Sequence, residues 1–474
     1  MTAAGRHDRD RASRARARRA AVLAAVLFAL VPGCARRERP GIPPKNLLIV
    51  TVESLRADHL GCYGYARPTS GSPLHGYQPE NRRMSFDELA QAGVLFARAY
   101  APSGSTLPSL ASLFTGRGPL ETGVLDDRSA LPADVPTLAE TLRGAGFRTA
   151  ACITHERAPL GAALLRGFES FDVGADDADT IGCASRWLQR DLGDGRPFFL
   201  WIHLAGLEPS WTRRATDPKR DPPLPAARFA DPSYRGSADG SREWFARVEK
   251  GEITPTPEDV AHTVDLYDGK LARLLERLRE LFLQTFDFEV GTAEATECWS
   301  RTVLVLTSPH GVELFDHGRF GHAANLHEEV LRVPLVLRHP DSLTGERVLA
   351  EPVELQDVMP TVLEWFGVAV PDGVRGRSLF ARMDAFPENR FEPRPAIAVL
   401  GTRTCSVRTP RWRMIWSPHR SAKPEENVSL FDCVHDPWEA RDVSGENAEE
   451  VADLQREVSA WRATQVARAP EPLR

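Results

Sequence analysis

A chain of 474 residues is long enough for one large α/β domain, or for a large domain with a smaller one. Hydrophobic residues at 42% and charged residues at 26% are ordinary globular proportions, which argue against a disordered chain and against a helical membrane bundle. The net charge is −6, yet Met1–Gly33 carries seven Arg against two Asp; without that +5 the remainder stands at −11, an acidic surface unsuited to nucleic acid.

The front of the chain predicts export. An Arg-rich head (Arg14, Arg16, Arg18, Arg19) runs into the apolar stretch Ala20–Val31, too short to span a bilayer. Val31-Pro-Gly-Cys34 resembles a bacterial lipoprotein cleavage box, with Cys34 as the acylated residue and plain secretion as the alternative. We therefore expect a signal peptide over 1–33, a tether over 34–45, and a lipid-anchored protein in the periplasm or at the cell surface. The six other cysteines lack metal-site spacing; Cys405 and Cys433 are candidates for a bridge, against buried free thiols.

Asn46–Val52 is a continuous apolar, β-branched run, as in a buried parallel strand, and Glu53 follows at its carboxyl end, where α/β sheets bind ligands. Pro68–Arg83 reads as a surface loop, Ser85–Gly93 as an amphipathic helix and Val94–Tyr100 as a strand. Next comes the hydroxyl-rich stretch Ala101–Gly116, with a helical pattern over Ser109–Phe114 that Ser109 could cap behind Pro108. Free N–H groups at such a helix mouth favour an anion beside Thr106. A helix over Pro136–Gly146 and strands over Arg148–Ile153 and Pro197–His203 follow. Asp217–Gly251 reads as a surface excursion and Pro257–Leu283 as the longest helix. The strand Arg301–Thr307 delivers Ser308-Pro-His-Gly-Val-Glu-Leu-Phe-Asp-His-Gly318, then come a strand at Val333–Leu337 and a helix at Asp357–Phe366. From about Pro393 a smaller, separate part is predicted, with strands at Ala396–Leu400, Cys405–Arg408 and Trp412–Ile415 and a helix at Asn447–Gln465.

Several of these stretches together resemble the sulfatase family. They are Leu47–Tyr65, Gly93–Tyr100, Thr106–Gly116, Ser308–Gly311, Gly321-His322, Val333–Leu337, Asp357–Thr361, Gly376–Leu379 and Leu430–Glu439. The resemblance implies the alkaline-phosphatase-like α/β fold: a large, mostly parallel sheet flanked by helices over 46–392, and a smaller C-terminal α+β subdomain over 393–474. It implies hydrolysis or transfer of a sulfate or phosphate ester at a divalent metal such as zinc, manganese or calcium. Family sulfatases carry Cys or Ser, oxidised to formylglycine, at the place of Thr106, and Arg at the place of Leu110; formylglycine chemistry is therefore not expected here. Lipoteichoic-acid synthases and phosphoethanolamine transferases are similar to this chain in using Glu, here Glu53, and unmodified Thr, here Thr106. Their Asp-His pair falls on Pro309-His310, so one carboxylate ligand is missing.

Glu53, Thr106 and His310 remain as a three-ligand metal site with an open position, and Glu208, Glu313 and Asp316 are candidate substitute ligands. The family's further His falls near Glu208, where a carboxylate would repel an anionic ester. His317 and His322 are candidates to protonate the leaving group or hold the anion. Three functions follow: a metal-dependent ester hydrolase with Thr106 as nucleophile, a non-catalytic relative binding an anionic glycan or lipid, and a phosphoryl transferase. The last usually carries several transmembrane helices, which this sequence lacks.

Overall fold

The computed structural model describes residues 45–71, 84–154, 164–191, 195–208, 228–286, 293–339, 347–384, 394–418 and 427–466. The expected signal peptide, lipidation at Cys34 and most of the tether lie outside these residues. No helix among the described residues is long and apolar enough to cross a membrane.

The centre is an eight-stranded sheet in the order Arg347–Leu349, Val94–Phe96, Leu335–Arg338, Thr302–Thr307, Asn46–Val52, Phe198–Leu204, Arg148–Thr154, Ser170–Gly174. All neighbours are parallel except Leu335–Arg338, which is antiparallel to both of its own. In the Asn46–Val52 strand every residue is buried, because alternate side chains enter two different cores. Leu47 and Ile49 join Phe199, Trp201, Val303 and Val305 beneath the helices Thr106–Thr115 and Val358–Trp365. Leu48, Val50 and Val52 join Leu200, Ile202, Leu304 and Leu306 beneath Asp177–Asp191 and Pro257–Phe286. This is the helix-flanked, mostly parallel α/β architecture expected from the sequence.

Register decides where the chemistry sits. Thr51 pairs with His203 on one side and Thr307 on the other, so the three central strands stop level with one another. Glu53, Glu208 and His310 then leave from the same edge, the carboxyl edge at which open α/β sheets bind ligands.

A second sheet of four antiparallel strands (Ala396–Leu400, Thr404–Arg408, Trp412–Trp416, Val428–Asp432) follows in sequence order. One face packs Cys405, Val407, Met414 and Leu430 against Val451, Leu454 and Val458 of the helix Ala448–Val466. The other places Ala396 and Ala398 against Tyr100, Leu326 and Leu331. Cys405 and Cys433 are both free thiols, so the expected bridge is not formed: Cys405 is taken up in the helix-facing core.

Candidate active site

The helix carrying Thr106 begins earlier than its periodicity suggests, at Thr106 itself, and ends at Thr115. Ser105 occupies the cap position without a side-chain bond, and the Asp127 carboxylate accepts the Leu107 N–H at 2.8 Å instead. Ser109, expected as the cap, lies within the helix and donates to the Ser103 carbonyl at 2.9 Å. Gly116 closes the helix in the left-handed region at φ 63°, which a residue with a Cβ rarely adopts.

Thr106 Oγ1 lies 3.0 Å from His310 Nε2, and both residues are fully buried. His310 Nδ1 lies 2.8 Å from the Gly311 carbonyl, which can only accept, so Nδ1 carries a proton. In the neutral imidazole Nε2 is therefore the acceptor, and the Thr106 hydroxyl donates to it. Gly311 is needed for this placement: a Cβ there would stand 2.0 Å from the Glu329 carbonyl oxygen.

Glu53, also fully buried, accepts from His203 Nε2 at 3.0 Å. Trp201 Nε1 donates to Thr51 Oγ1 at 2.9 Å, and Thr51 lies 2.8 Å from His203 Nδ1. Because the Glu53 carboxylate can only accept, the proton of a neutral His203 sits on Nε2, and Nδ1 accepts from the Thr51 hydroxyl. Ser54, the next residue, is held at φ 56°, an uncommon conformation for a residue other than glycine. Its carbonyl accepts from the Tyr267 hydroxyl at 2.8 Å, and its own hydroxyl donates to Glu208 Oε1 at 2.7 Å.

Glu208 answers the charge problem raised by its position. Its Oε2 lies 3.1 Å from His322 Nε2, while His322 Nδ1 faces the Gly104 carbonyl at 3.0 Å. Burial alone would push the His322 pKa down; the charge of Glu208, the hydrogen bond to it and the charge of Glu53 together hold it up at about 9. The pair is therefore a carboxylate with an imidazolium, and the repulsion expected of Glu208 toward an anion is offset. His322 also stacks on His310, with ring centroids 4.0 Å apart.

The remaining candidates are engaged elsewhere. Glu313 accepts from the backbone of His317 and Arg319 and from Asn325 Nδ2, so it braces its own loop. Asp316 forms a two-pronged pair with Arg56 at 2.7 and 3.1 Å, which holds its carboxyl below the usual range although burial opposes this. Its partners make it a strut between the two loops. His317 meets Glu329, the Glu439 carbonyl and the His327 ring, and makes no contact with Thr106, Glu53 or His310. The structure thus gathers Thr106, His310, His322, Glu208 and Glu53, and places His317, Glu313 and Asp316 in other pairings.

Glu208, His310 and His322 each present a ligating atom within 4.8 Å of the others. These two imidazoles and one carboxylate, with the Thr106 hydroxyl against His310, are a donor set that suits a divalent cation, and Glu53 is near enough for its charge to act on His322. Beyond Glu208 and His322 lies a cavity of about 510 Å³, also lined by Arg242, Arg319, Phe245 and Phe320. Arg242 and Phe245 come from the helix Arg242–Glu249, inside the segment expected to be a plain surface excursion.

Comparison with known proteins agrees with this architecture. The sulfatase family model matches residues 45–368, and a model of the N-sulphoglucosamine sulphohydrolase C-terminal region matches 315–464. The chain belongs to the sulfatase family, whose sulfatases hydrolyse sulfate esters. It is 22% identical over 435 residues to arylsulfatase K of Xenopus laevis, covering 80% of this chain and 78% of that protein. The phosphonate monoester hydrolase of Agrobacterium radiobacter shares the fold with a TM-score of 0.68 at 18% identity, over 90% of this chain and 96% of that one. A protein solved in complex with its substrate, D-glucosamine-2-N,6-O-disulfate, superposes with a TM-score of 0.66 at 18% identity, over 90% of this chain and 98% of that one.

Proposed function

We propose that the protein is an exported hydrolase of sulfate or phosphate esters on an anionic glycan, with Thr106 as the nucleophile. The observation that carries this reading is the buried Thr106 hydroxyl aimed at the acceptor nitrogen of His310. The Thr106 oxygen attacks sulfur or phosphorus, its proton passes to His310 Nε2, and the bond to the glycan alcohol breaks. His322 Nε2 gives the departing alcohol its proton. Water then attacks the Thr106 ester and passes a proton to His322. The threonine oxygen leaves and takes back the proton held on His310, so both histidines are restored.

Glu53, Thr106 and His310 would hold a divalent cation; His310 Nε2 would then serve as a ligand instead of a base, and the cation would lower the pKa of the hydroxyl and neutralise the ester oxygens in its place. Arg242 and Arg319 supply positive charge in the cavity for further anionic groups of the glycan. The sulfated sugar bound by the structural relative supports this choice of substrate class. The export signal and the acylation of Cys34 belong to the same reading, since a lipid anchor would hold the enzyme at a surface that meets extracellular glycans.

The test is an assay of the purified protein on nitrophenyl sulfate, phosphate and phosphonate, with zinc, manganese or calcium added. Thr106→Ala and His310→Ala are expected to lower kcat by about 100-fold or more. Turnover no higher than in the Thr106→Ala protein removes the hydrolase reading. Retained binding of a sulfated oligosaccharide would then favour the binding relative, the reading motivated by Pro309 at the missing ligand position.

A further inference from the structure

We propose that His317, His327 and Glu439 form a second metal site, for zinc or a chemically similar ion, fastening the loop after the Thr302–Thr307 strand to the C-terminal sheet. One ring nitrogen of each histidine and one Glu439 carboxylate oxygen lie within 4.8 Å of one another. The cluster shares no residue with the Thr106 site.

The two imidazoles stack with centroids 3.7 Å apart at 11°, which sets their nitrogens side by side. Glu439 Oε2 lies 2.8 Å from His327 Nδ1, and the Glu439 carbonyl lies 3.3 Å from His317 Nε2. The other nitrogen of His317, Nδ1, is held at 3.0 Å by the buried carboxylate of Glu329. A carboxylate behind a histidine in this way orients the ring and raises the basicity of the nitrogen facing the metal.

Glu439 is itself held in place. Its side chain is fully buried, it pairs with Arg413, and it accepts the Glu328 N–H at 3.2 Å. Its φ of 55° is one that a residue other than glycine adopts only when the surroundings impose it. Two imidazoles and one carboxylate leave a fourth position for water and select zinc over calcium or magnesium, which prefer all-oxygen sites. Access is provided by partial exposure of both rings.

The experiment is a titration of the metal-stripped full-length protein with zinc chloride, counting bound ions by native mass spectrometry. His310→Ala serves as the background, so that ions at the Thr106 site do not enter the comparison. In that background we expect one tight zinc, weakened at least tenfold by adding His327→Ala. Cobalt substituted at the site should show the visible absorption of a four-coordinate ion. If the His327→Ala protein does not fold, Glu329→Gln decides the matter, with an expected weakening of about tenfold. Unchanged zinc binding in folded His327→Ala, or in Glu329→Gln where that variant decides, overturns the proposal, and neither result bears on hydrolysis at Thr106.

Discussion

His203 is the residue whose removal separates positioning from chemistry. It touches Glu53 and is itself fixed by Thr51 and Trp201. His203→Asn should lower kcat about 10- to 100-fold and weaken metal affinity, with little change in KM. Circular dichroism and a metal titration would separate this from unfolding. Pro309→Asp, which restores a carboxylate beside His310, should raise metal affinity by about tenfold, measured by competition with a chelating dye. A third expectation concerns pH. The hydrogen bond that His317 donates to the Glu329 carboxylate lifts the His317 pKa from its ordinary 6.5 to about 9, although burial opposes it. In the metal-free protein the stability this contributes is fully present below about pH 6.5 and is lost as pH rises through 9. His317→Asn should flatten the melting temperature across that window. The positions of Glu53, Thr106 and His310 at strand ends and a helix mouth were legible in the sequence, while the roles expected of them came from the family resemblance. The partnership of Glu53 with His203 was not legible, since it depends on which strands are neighbours and in what register.

At the scale of elements, the buried strands were readable from their unbroken apolar character, and the strand Ser170–Gly174 was missed for the opposite reason. It lies at the sheet edge with four of its five residues exposed, including Phe171, so it carries no buried pattern. The helix Arg242–Glu249 was hidden by the polar, Pro- and Gly-rich segment around it, yet it brings Arg242 to the cavity wall. Arg319→Ala and Arg242→Ala should raise KM for a sulfated oligosaccharide several-fold and leave kcat for nitrophenyl sulfate nearly unchanged, as steady-state kinetics would report. In the C-terminal sheet, Arg413 lies beneath the surface between Glu328 and Glu439. Arg413→Ala leaves the buried Glu439 carboxylate without its arginine, while Glu328 keeps Arg408, and should cost about 3–5 kcal/mol in urea denaturation.

For the whole molecule, the order of the matched stretches made the fold readable from sequence: strand, hydroxyl-bearing helix, later strand with histidine, then a separate antiparallel part. The pairing of Glu208 with His322 was not readable, because it joins positions 114 residues apart through the folding of two loops. Charge behaves in the same way. The chain beyond Gly33 is strongly acidic by count, yet the cavity beside the site sets Arg242 and Arg319 against Glu208 and Glu249, so total charge misstates what a substrate meets.

The turn that carries Glu439 follows the last strand of the second sheet, Val428–Asp432. A ribosome has therefore made more than nine tenths of the polypeptide before Arg413 and His327 can acquire their final neighbour. A message truncated just before Val428 would encode every residue of the proposed hydrolytic centre and still yield a product whose histidine loop lacks its fastening. Such a fragment should be degraded by added protease, whereas the complete translation product should resist it.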